Sequence, residues 1–307
     1  MRHQYTYLFL IGFIVLLTSC GQKEKADANY NIVPKVQKIE YSEAESFILD
    51  KTTKINYSSE NIRSKQNAEF LAEYIKLNTG ISLELTDEAR AQKSIVLKTD
   101  NKSDNPEAYS LTVNKDQIII DGASDAGVFY GIQTLRKSIP AGKDIVSVEF
   151  KATTIEDYPR FSYRGSHLDV ARHMYTLDSI KIYIDMLAMH NINRFHWHLT
   201  DDQGWRLEIK KYPELTQKGS MREQTVIGKN SGVYDGKPYG GFYTQEEVKE
   251  IIKYAQDRFI TVIPEVDLPG HMLAALTAYP NLGCTGGPYK VAQSWGVFDD
   301  VLCAGNE

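Results

Sequence analysis

Cysteine is scarce in this chain: three residues among 307, at positions 20, 284 and 303. None of them sits in a C-x-x-C pattern, so the usual frame of a structural zinc site is missing. Positive charge is not in excess either. The formal net charge of −5 leaves no broad basic surface, which argues against nucleic acid as a partner. The apolar run near the start, Tyr7 to Leu17, is too short to span a bilayer as a helix of the mature protein. What is present is ordinary for a globular protein. Hydrophobic residues make up 42% and charged residues 24%, enough for a sizeable core, and the length suits two domains or one large α/β domain. Nineteen tyrosines against eleven phenylalanines fit a sugar-handling surface and a secreted protein equally well.

The first residues, "MRHQYTYLFLIGFIVLLTSCGQKEK", have the anatomy of an export signal: a short charged start, an apolar stretch, then small residues. Leu17-Thr18-Ser19-Cys20 resembles a bacterial lipobox, in which Cys20 is lipidated and becomes the mature N-terminus. The alternative is an ordinary signal peptide with a chance cysteine. On the lipobox reading residues 1–20 are a leader and residues 21–29 a flexible tether. The protein is then an exported lipoprotein of the periplasm or outer membrane, touching the membrane only through its lipid. In an oxidising compartment Cys284 and Cys303, nineteen positions apart, are expected to pair; two buried free thiols are the alternative.

Residues 30–150 read as a small α+β domain. "KSIVLKT", "AYSLTV" and "QIIIDG" are strand-like, with a turn at Asp121-Gly122. "RSKQNAEFLAEYIKLNTG" reads as an amphipathic helix with Ala68, Leu71, Ala72, Ile75 and Leu77 on one side, closed by Gly80. "DAGVFYGIQTLRKSI" reads as a second helix, or one interrupted by its glycines. No dense cluster of histidine, cysteine or carboxylate appears in this half, and a scaffold role follows.

From residue 151 the pattern changes to strand, helix, strand, long loop, helix, strand: "SYRGSHLDV", "TLDSIKIYIDMLAMHN", "NRFHWHLT", "TQEEVKEIIKYAQDRF", "ITVIPEVD". Ile180, Ile184 and Leu187 share a helix face, and Thr244 with Glu247 are placed as a capping box. This is the rhythm of a parallel β/α protein, in which chemistry gathers where strands end. The three strands run into Asp169, Arg172 and His173, then Asp201 and Asp202, then Glu265, Asp267 and His271. Scattered surface charge would not be so regular. In the middle strand Phe195, Trp197 and Leu199 face one way, and His196, His198 and Thr200 the other. Two histidines on a barrel's inner face are either hydrogen-bonded or metal ligands; a metal-dependent amidohydrolase using His196, His198 and His271 is the rival reading.

"RGSHLDVARH", "FHWHLTDDQGWR", "GFYTQEEVKEIIKYA" and "IPEVDLPGH", in that order, closely resemble the first half of the catalytic barrel of family 20 glycoside hydrolases, the β-N-acetylhexosaminidases. "WGVFDDVLCAGNE" is similar to a segment just before the fourth strand, and residues 30–150 to the small domain that precedes the barrel. The resemblance implies an incomplete (β/α)8 TIM barrel over residues 151–307 behind that α+β domain. It also implies an exo-acting enzyme that removes terminal N-acetylglucosamine or N-acetylgalactosamine from glycans without metal or cofactor. In these enzymes the substrate's own 2-acetamido oxygen is the nucleophile. By resemblance Arg172 binds sugar hydroxyls, while Asp201 and His271 form a relay supporting the acid glutamate. Asp202 holds the turn at Gln203-Gly204, Glu265 and Asp267 brace the barrel mouth, and His196 and His198 are buried hydrogen-bonding residues.

The acid glutamate of that family follows an aspartate in a Gly-Gly-Asp-Glu type motif, and no such motif occurs here. Asp87-Glu88, the sole Asp-Glu pair, lies in the small domain. A full barrel takes about 250 residues, so three strand-helix units and part of a fourth are expected. A half-barrel leaves a raw parallel edge. The 307 residues alone are therefore expected to fold poorly beyond the small domain and to be inactive. A non-catalytic glycan-binding remnant is the remaining alternative. Oligomeric state is not legible.

Overall fold

The computed structural model describes residues 24–88, 92–142 and 145–306; the leader, the lipobox and Cys20 lie outside them. In the first domain a seven-stranded mixed sheet runs in the order Lys38–Tyr41, Thr153–Asp157, Tyr109–Val113, Gln117–Gly122, Ser94–Lys98, Lys54–Asn56, Glu84–Thr86. The first four are antiparallel neighbours and the last four parallel ones. Alternation decides which face is covered: Ile118 and Ile120 are fully buried, whereas Gln117, Ile119 and Asp121 between them are half-buried.

Helix Ile62–Thr79 starts at Asn61, whose side chain accepts from the amides of Arg63 and Ser64, and stops at Gly80, which takes φ 81°. That left-handed conformation suits a glycine. Ala68, Leu71 and Ile75 are buried as expected, but Leu77 is 72% exposed. Six positions after Leu71, it lies about 240° round the helix from it. The second helix, Asp125–Ser138, is continuous. Its glycines mark contact with the sheet, not an interruption: a Cβ at Gly127 would meet the Ala108 carbonyl oxygen at 2.2 Å, and one at Gly131 would meet Ile120 Cγ2 at 2.4 Å.

Two expected boundaries shift. Thr153–Asp157 pairs with Lys38–Tyr41 and with Tyr109–Val113, so the first domain ends after Asp157 and not at Phe150. Glu24–Asp27, read as tether, is a strand parallel to Ile145–Phe150. Backbone pairing along a ready strand edge overrides a polar composition.

Beyond residue 160 three strands, Gly165–Asp169, Arg194–His198 and Thr261–Glu265, form a parallel sheet in sequence order. Helices Leu177–Met189 and Gln245–Gln256 connect them, the second opened by the Thr244/Glu247 capping box. This is an incomplete TIM barrel; among the described residues neither outer strand has a second neighbour. Phe195, Trp197 and Leu199 are fully buried toward the helices with Ile180, Ile184 and Ile251, each burial contributing about 1.5–3 kcal/mol. Cys284 and Cys303 form the expected disulfide, with Cα atoms 4.7 Å apart.

One hydrophobic core runs through both domains. The helices of the first domain lean on the barrel's helices: Phe129 packs on Phe259 with ring centres 5.3 Å apart, and Arg63 pairs with Asp257 at 3.0 Å. On the Arg164 side of the first barrel strand, Glu107 of the first domain receives two bonds from Arg164, at 2.8 and 3.0 Å. The joint therefore fixes the barrel from the N-terminal end of its strands and leaves their C-terminal ends open.

Candidate active site

Parallel pairing in register places Asp169, His198 and Glu265 side by side at the strand ends. The chain then leaves each strand in a different way. After the first strand Asp169 Oδ1 accepts from the amides of Ala171 and Arg172, while its Oδ2 accepts from Arg172 Nη1 at 2.8 Å. After the second strand Thr200-Asp201 folds back on Gly204-Trp205 as a tight hairpin. After the third the backbone reaches His271, which sits at φ 55°. That left-handed conformation costs about 1–3 kcal/mol in a non-glycine residue and is held by the contacts of the imidazole.

Asp201 is the hub. Only 1% exposed, it forms an ion pair through Oδ2 with Arg172 Nη2 at 2.6 Å, accepts there from His198 Nε2 at 2.8 Å, and accepts through Oδ1 from the Asp202 amide at 2.7 Å and His271 Nδ1 at 3.1 Å. Burial alone would raise its carboxyl pKa; the His198 hydrogen bond, the Asp202 amide and the charges of Arg172 and His271 outweigh burial and hold it below the usual range. Asp202 goes the other way, raised by burial and by the Asp201 charge. Of the two, Asp201 is thus the more readily ionised.

His198 lies between two carboxylates, Nε2 to Asp201 and Nδ1 to Glu265 at 2.7 Å. Burial lowers its pKa, but Asp201, Glu265 and the charge of Asp169 prevail and lift it to about 9. Glu265 also meets His196 Nε2 at 2.5 Å, and its pKa is depressed despite burial, chiefly by His198. His196 itself keeps 39% of its side chain exposed, which corrects the expectation of full burial: no described element covers that part of the inner face.

Other expected residues fall differently. Asp202 does not brace the Gln203-Gly204 turn with its side chain. It reaches across to His271 Nδ1 and the Leu273 amide, both at 3.1 Å. Asp267 donates its amide to Thr200 Oγ1. His173 turns into an aromatic pocket, its ring centre 5.7 Å from that of Tyr239 and 5.2 Å from that of Trp295. Two groups bring ligand-type atoms within 4.8 Å, His167 with His198 and Glu265, and Asp201 with Asp267 and His271. In the second group His271 Nδ1 already bonds to Asp201 and Asp202, and in the first His198 Nε2 bonds to Asp201 while its Nδ1 lies 2.7 Å from Glu265 Oε2. That leaves His196, His198 and His271 poorly suited to a metal-dependent amidohydrolase.

Two arginines were not foreseen. Arg206, fully buried, donates to the carbonyls of Val170, Ala171, Gln203, Ser220 and Gly241. Burial and the Arg222 charge lower its pKa to about 10. Arg222 donates to the carbonyls of Arg172 and Gln203 at 2.9 and 3.3 Å and lies over the rings of Tyr239 and Trp295. Gln203 in turn accepts from Arg172 Nε at 3.1 Å. These contacts cross between loops far apart in sequence. The only local signal is Gly204, whose missing Cβ would stand 2.3 Å from the Arg206 guanidinium carbon.

Comparison with known proteins agrees with the geometry. Residues 161–307 match the model of the glycosyl hydrolase family 20 catalytic domain, and residues 29–158 match that of domain 2 of the same family. The chain belongs to glycosyl hydrolase family 20. A β-hexosaminidase of Porphyromonas gingivalis is 41% identical over 98% of this chain and 39% of its own length. The family 20 β-N-acetylhexosaminidase of Streptomyces coelicolor superposes with a TM-score of 0.79 at 32% identity, over 90% of this chain and 54% of that one. The family 20 exo-β-N-acetylglucosaminidase of Vibrio harveyi, solved with N-acetylglucosamine, gives 0.75 at 32% identity, over 91% and 43%. The chain thus spans about half or less of the relatives it matches, and family 20 membership sets the amidohydrolase reading aside.

Proposed function

We propose that this chain carries the sugar-binding and relay part of an exo-acting β-N-acetylhexosaminidase, which removes terminal non-reducing N-acetylglucosamine or N-acetylgalactosamine from glycans. The observation that supports this most is Asp201. At a barrel-strand end in a family 20 chain, it is shared between Arg172 and His271. In the proposed reaction the acetamido oxygen attacks the anomeric carbon as the glycosidic C–O bond breaks, and a glutamic acid protonates the leaving oxygen. Water then opens the oxazolinium ion with net retention. Arg172 supplies hydroxyl contacts through its fork of donors. His271 gives Nδ1 to Asp201 and Asp202, so Nε2 is the nitrogen left for the acid.

The acid and the aspartate that orients the acetamido N–H are not among these 307 residues. In this proposal they come from chain beyond Glu307, and the given chain is an inactive fragment. The signal-like run and the lipobox-like Leu17-Thr18-Ser19-Cys20 support the further reading of an exported protein of the periplasm or outer membrane, held by lipid on Cys20. The test uses the complete enzyme against a chromogenic N-acetyl-β-glucosaminide and the matching β-glucoside. Hydrolysis of the acetamido sugar alone is expected. Equal hydrolysis of both would overturn substrate assistance.

A further inference from the structure

Gln203 is buried, 1% exposed, and its side-chain amide serves two different partners. Oε1 accepts from Arg172 Nε at 3.1 Å, and Nε2 donates to the Ser294 carbonyl at 2.9 Å. The partners fix which end of the amide points where, because an arginine only donates and a carbonyl only accepts. A carboxylate here would set a second acceptor against the Ser294 carbonyl, and a hydrocarbon would satisfy neither end. The position asks for an amide. We propose that Gln203 is a positioning residue for sugar binding, which sets the plane of the Arg172 guanidinium and ties it to residues 291–295.

The guanidinium is a rigid planar fork, so three held corners define its orientation. Nη1 donates to Asp169 Oδ2 at 2.8 Å and lies 3.1 Å from His198 Nε2, and Nη2 pairs with Asp201 Oδ2 at 2.6 Å. Those contacts hold the two outer nitrogens, and the plane can still rock about the line that joins them. Gln203 holds the third corner. Arg172 keeps 30% of its side chain exposed, so the held fork still presents an edge to a ligand. That this ligand is a sugar rests on the hexosaminidase reading; that Gln203 holds Arg172 does not.

The backbones of the two residues are matched as well. Arg222 Nη1 donates to the carbonyls of both Arg172 and Gln203, at 2.9 and 3.3 Å, and Arg206 Nη2 reaches the Gln203 carbonyl at 3.5 Å. Both of these arginines are buried, so Gln203 cannot follow Arg172 if that side chain swings. The far end of the amide is fastened too. Ala292 donates its amide to the Asp202 carbonyl at 2.9 Å, and Ser294 lies inside the loop closed by Cys284 and Cys303. Trp295, next after Ser294, sets its ring 5.2 Å from that of His173, next after Arg172. That ring contact survives the loss of the amide, which makes the effect on Arg172 separable from a general loosening of the segment.

The test is a double-mutant cycle in the complete enzyme, on a chromogenic N-acetyl-β-glucosaminide. Gln203→Met keeps the length of the side chain and removes both ends of the amide. It should lower kcat/KM about 10-fold or more, mainly by raising KM, as the loss of one hydrogen bond to a charged group predicts. Arg172→Lys has no Nε–H to give to the amide. In that background Gln203→Met should cost about 2-fold or less, its partner being already gone. Equal losses in the two backgrounds would overturn the proposal and leave Gln203 a support of the fold; so would an unchanged kcat/KM in Gln203→Met alone. Should Gln203→Met not fold, Gln203→Asn, one methylene shorter, runs the same cycle with the same outcomes. A crystal structure of the complete variant reads the point without turnover: the Arg172 guanidinium is expected to leave its plane, and an unmoved guanidinium counts against the proposal. If the unmodified complete enzyme hydrolyses no N-acetylhexosaminide, the hexosaminidase reading falls, while that crystal structure still decides whether Gln203 holds Arg172.

Discussion

Replacing Glu107 by alanine should loosen the joint on which the candidate site stands. Its carboxylate receives Arg164 Nη1 and Nη2 at 2.8 and 3.0 Å, Asn193 Nδ2 at 3.0 Å and the Tyr130 hydroxyl at 3.1 Å. Both members of the ion pair are mostly covered, with 15% and 17% of their side chains exposed. Without Glu107, Arg164 keeps the carbonyls of Phe161 and Asn191 but no anion. Breaking a buried pair from one side costs about 3–5 kcal/mol. Some water still reaches these side chains, so about 3 kcal/mol is expected, roughly a hundredfold in the folding equilibrium. Glu107→Gln keeps the volume and one acceptor oxygen and should cost about 1–2 kcal/mol. Urea unfolding followed by tryptophan fluorescence reads the barrel side alone, because Trp197, Trp205 and Trp295 all lie there. Far-UV dichroism reads both domains, and the two curves should separate in Glu107→Ala. The pH dependence has a fixed sign. Burial pushes the Glu107 pKa up, yet Arg164 and Asn193 hold it below the usual value. The contribution is therefore complete above the unfolded pKa of about 4.3 and fades as pH falls through the lower folded value. A loss below about 1 kcal/mol at neutral pH would refute this reasoning. So would a difference between wild type and variant that stays constant into acid.

Arg222→Lys keeps the charge but loses the fork that grips the carbonyls of Arg172 and Gln203; KM of the complete enzyme should rise more than kcat falls, with about 1–2 kcal/mol lost in thermal unfolding. Gly204→Ala drives a methyl against the guanidinium of Arg206 and should cost about 2 kcal/mol or more, read as a lower urea midpoint with altered near-UV dichroism. Cys284→Ser with Cys303→Ser opens a loop of nineteen-residue separation, worth about 3 kcal/mol by the loop-entropy argument. Proteolysis should then nick residues 284–303 before the strands.

Much of the fold was legible because period and spacing are local. The three barrel strands, their two connecting helices and the capping box at Thr244 all follow from patterns a few residues long. The exceptions have physical reasons. Leu77 looks apolar on a helix whose buried side it does not share, and Glu24–Asp27 is a strand only because Ile145–Phe150 offers it an edge. The site was legible as a set of strand-end residues, since parallel register brings strand ends together. Its wiring was not: whether Asp202 serves the turn or His271 depends on loop paths. The roles of Arg206 and Arg222 arise from carbonyls 3 to 50 positions away. Nothing in a sequence period reports such contacts.

On the proposed reading Asp201, His271 and Arg172 serve an acid supplied from outside these 307 residues. The most direct test compares the 307 residues, purified alone, with the same chain joined to the remainder of its barrel, on one chromogenic N-acetyl-β-glucosaminide. Turnover is expected from the joined protein, lost on Asp201→Asn, and none from the 307 residues. Turnover at equal rate by the 307 residues alone would contradict it.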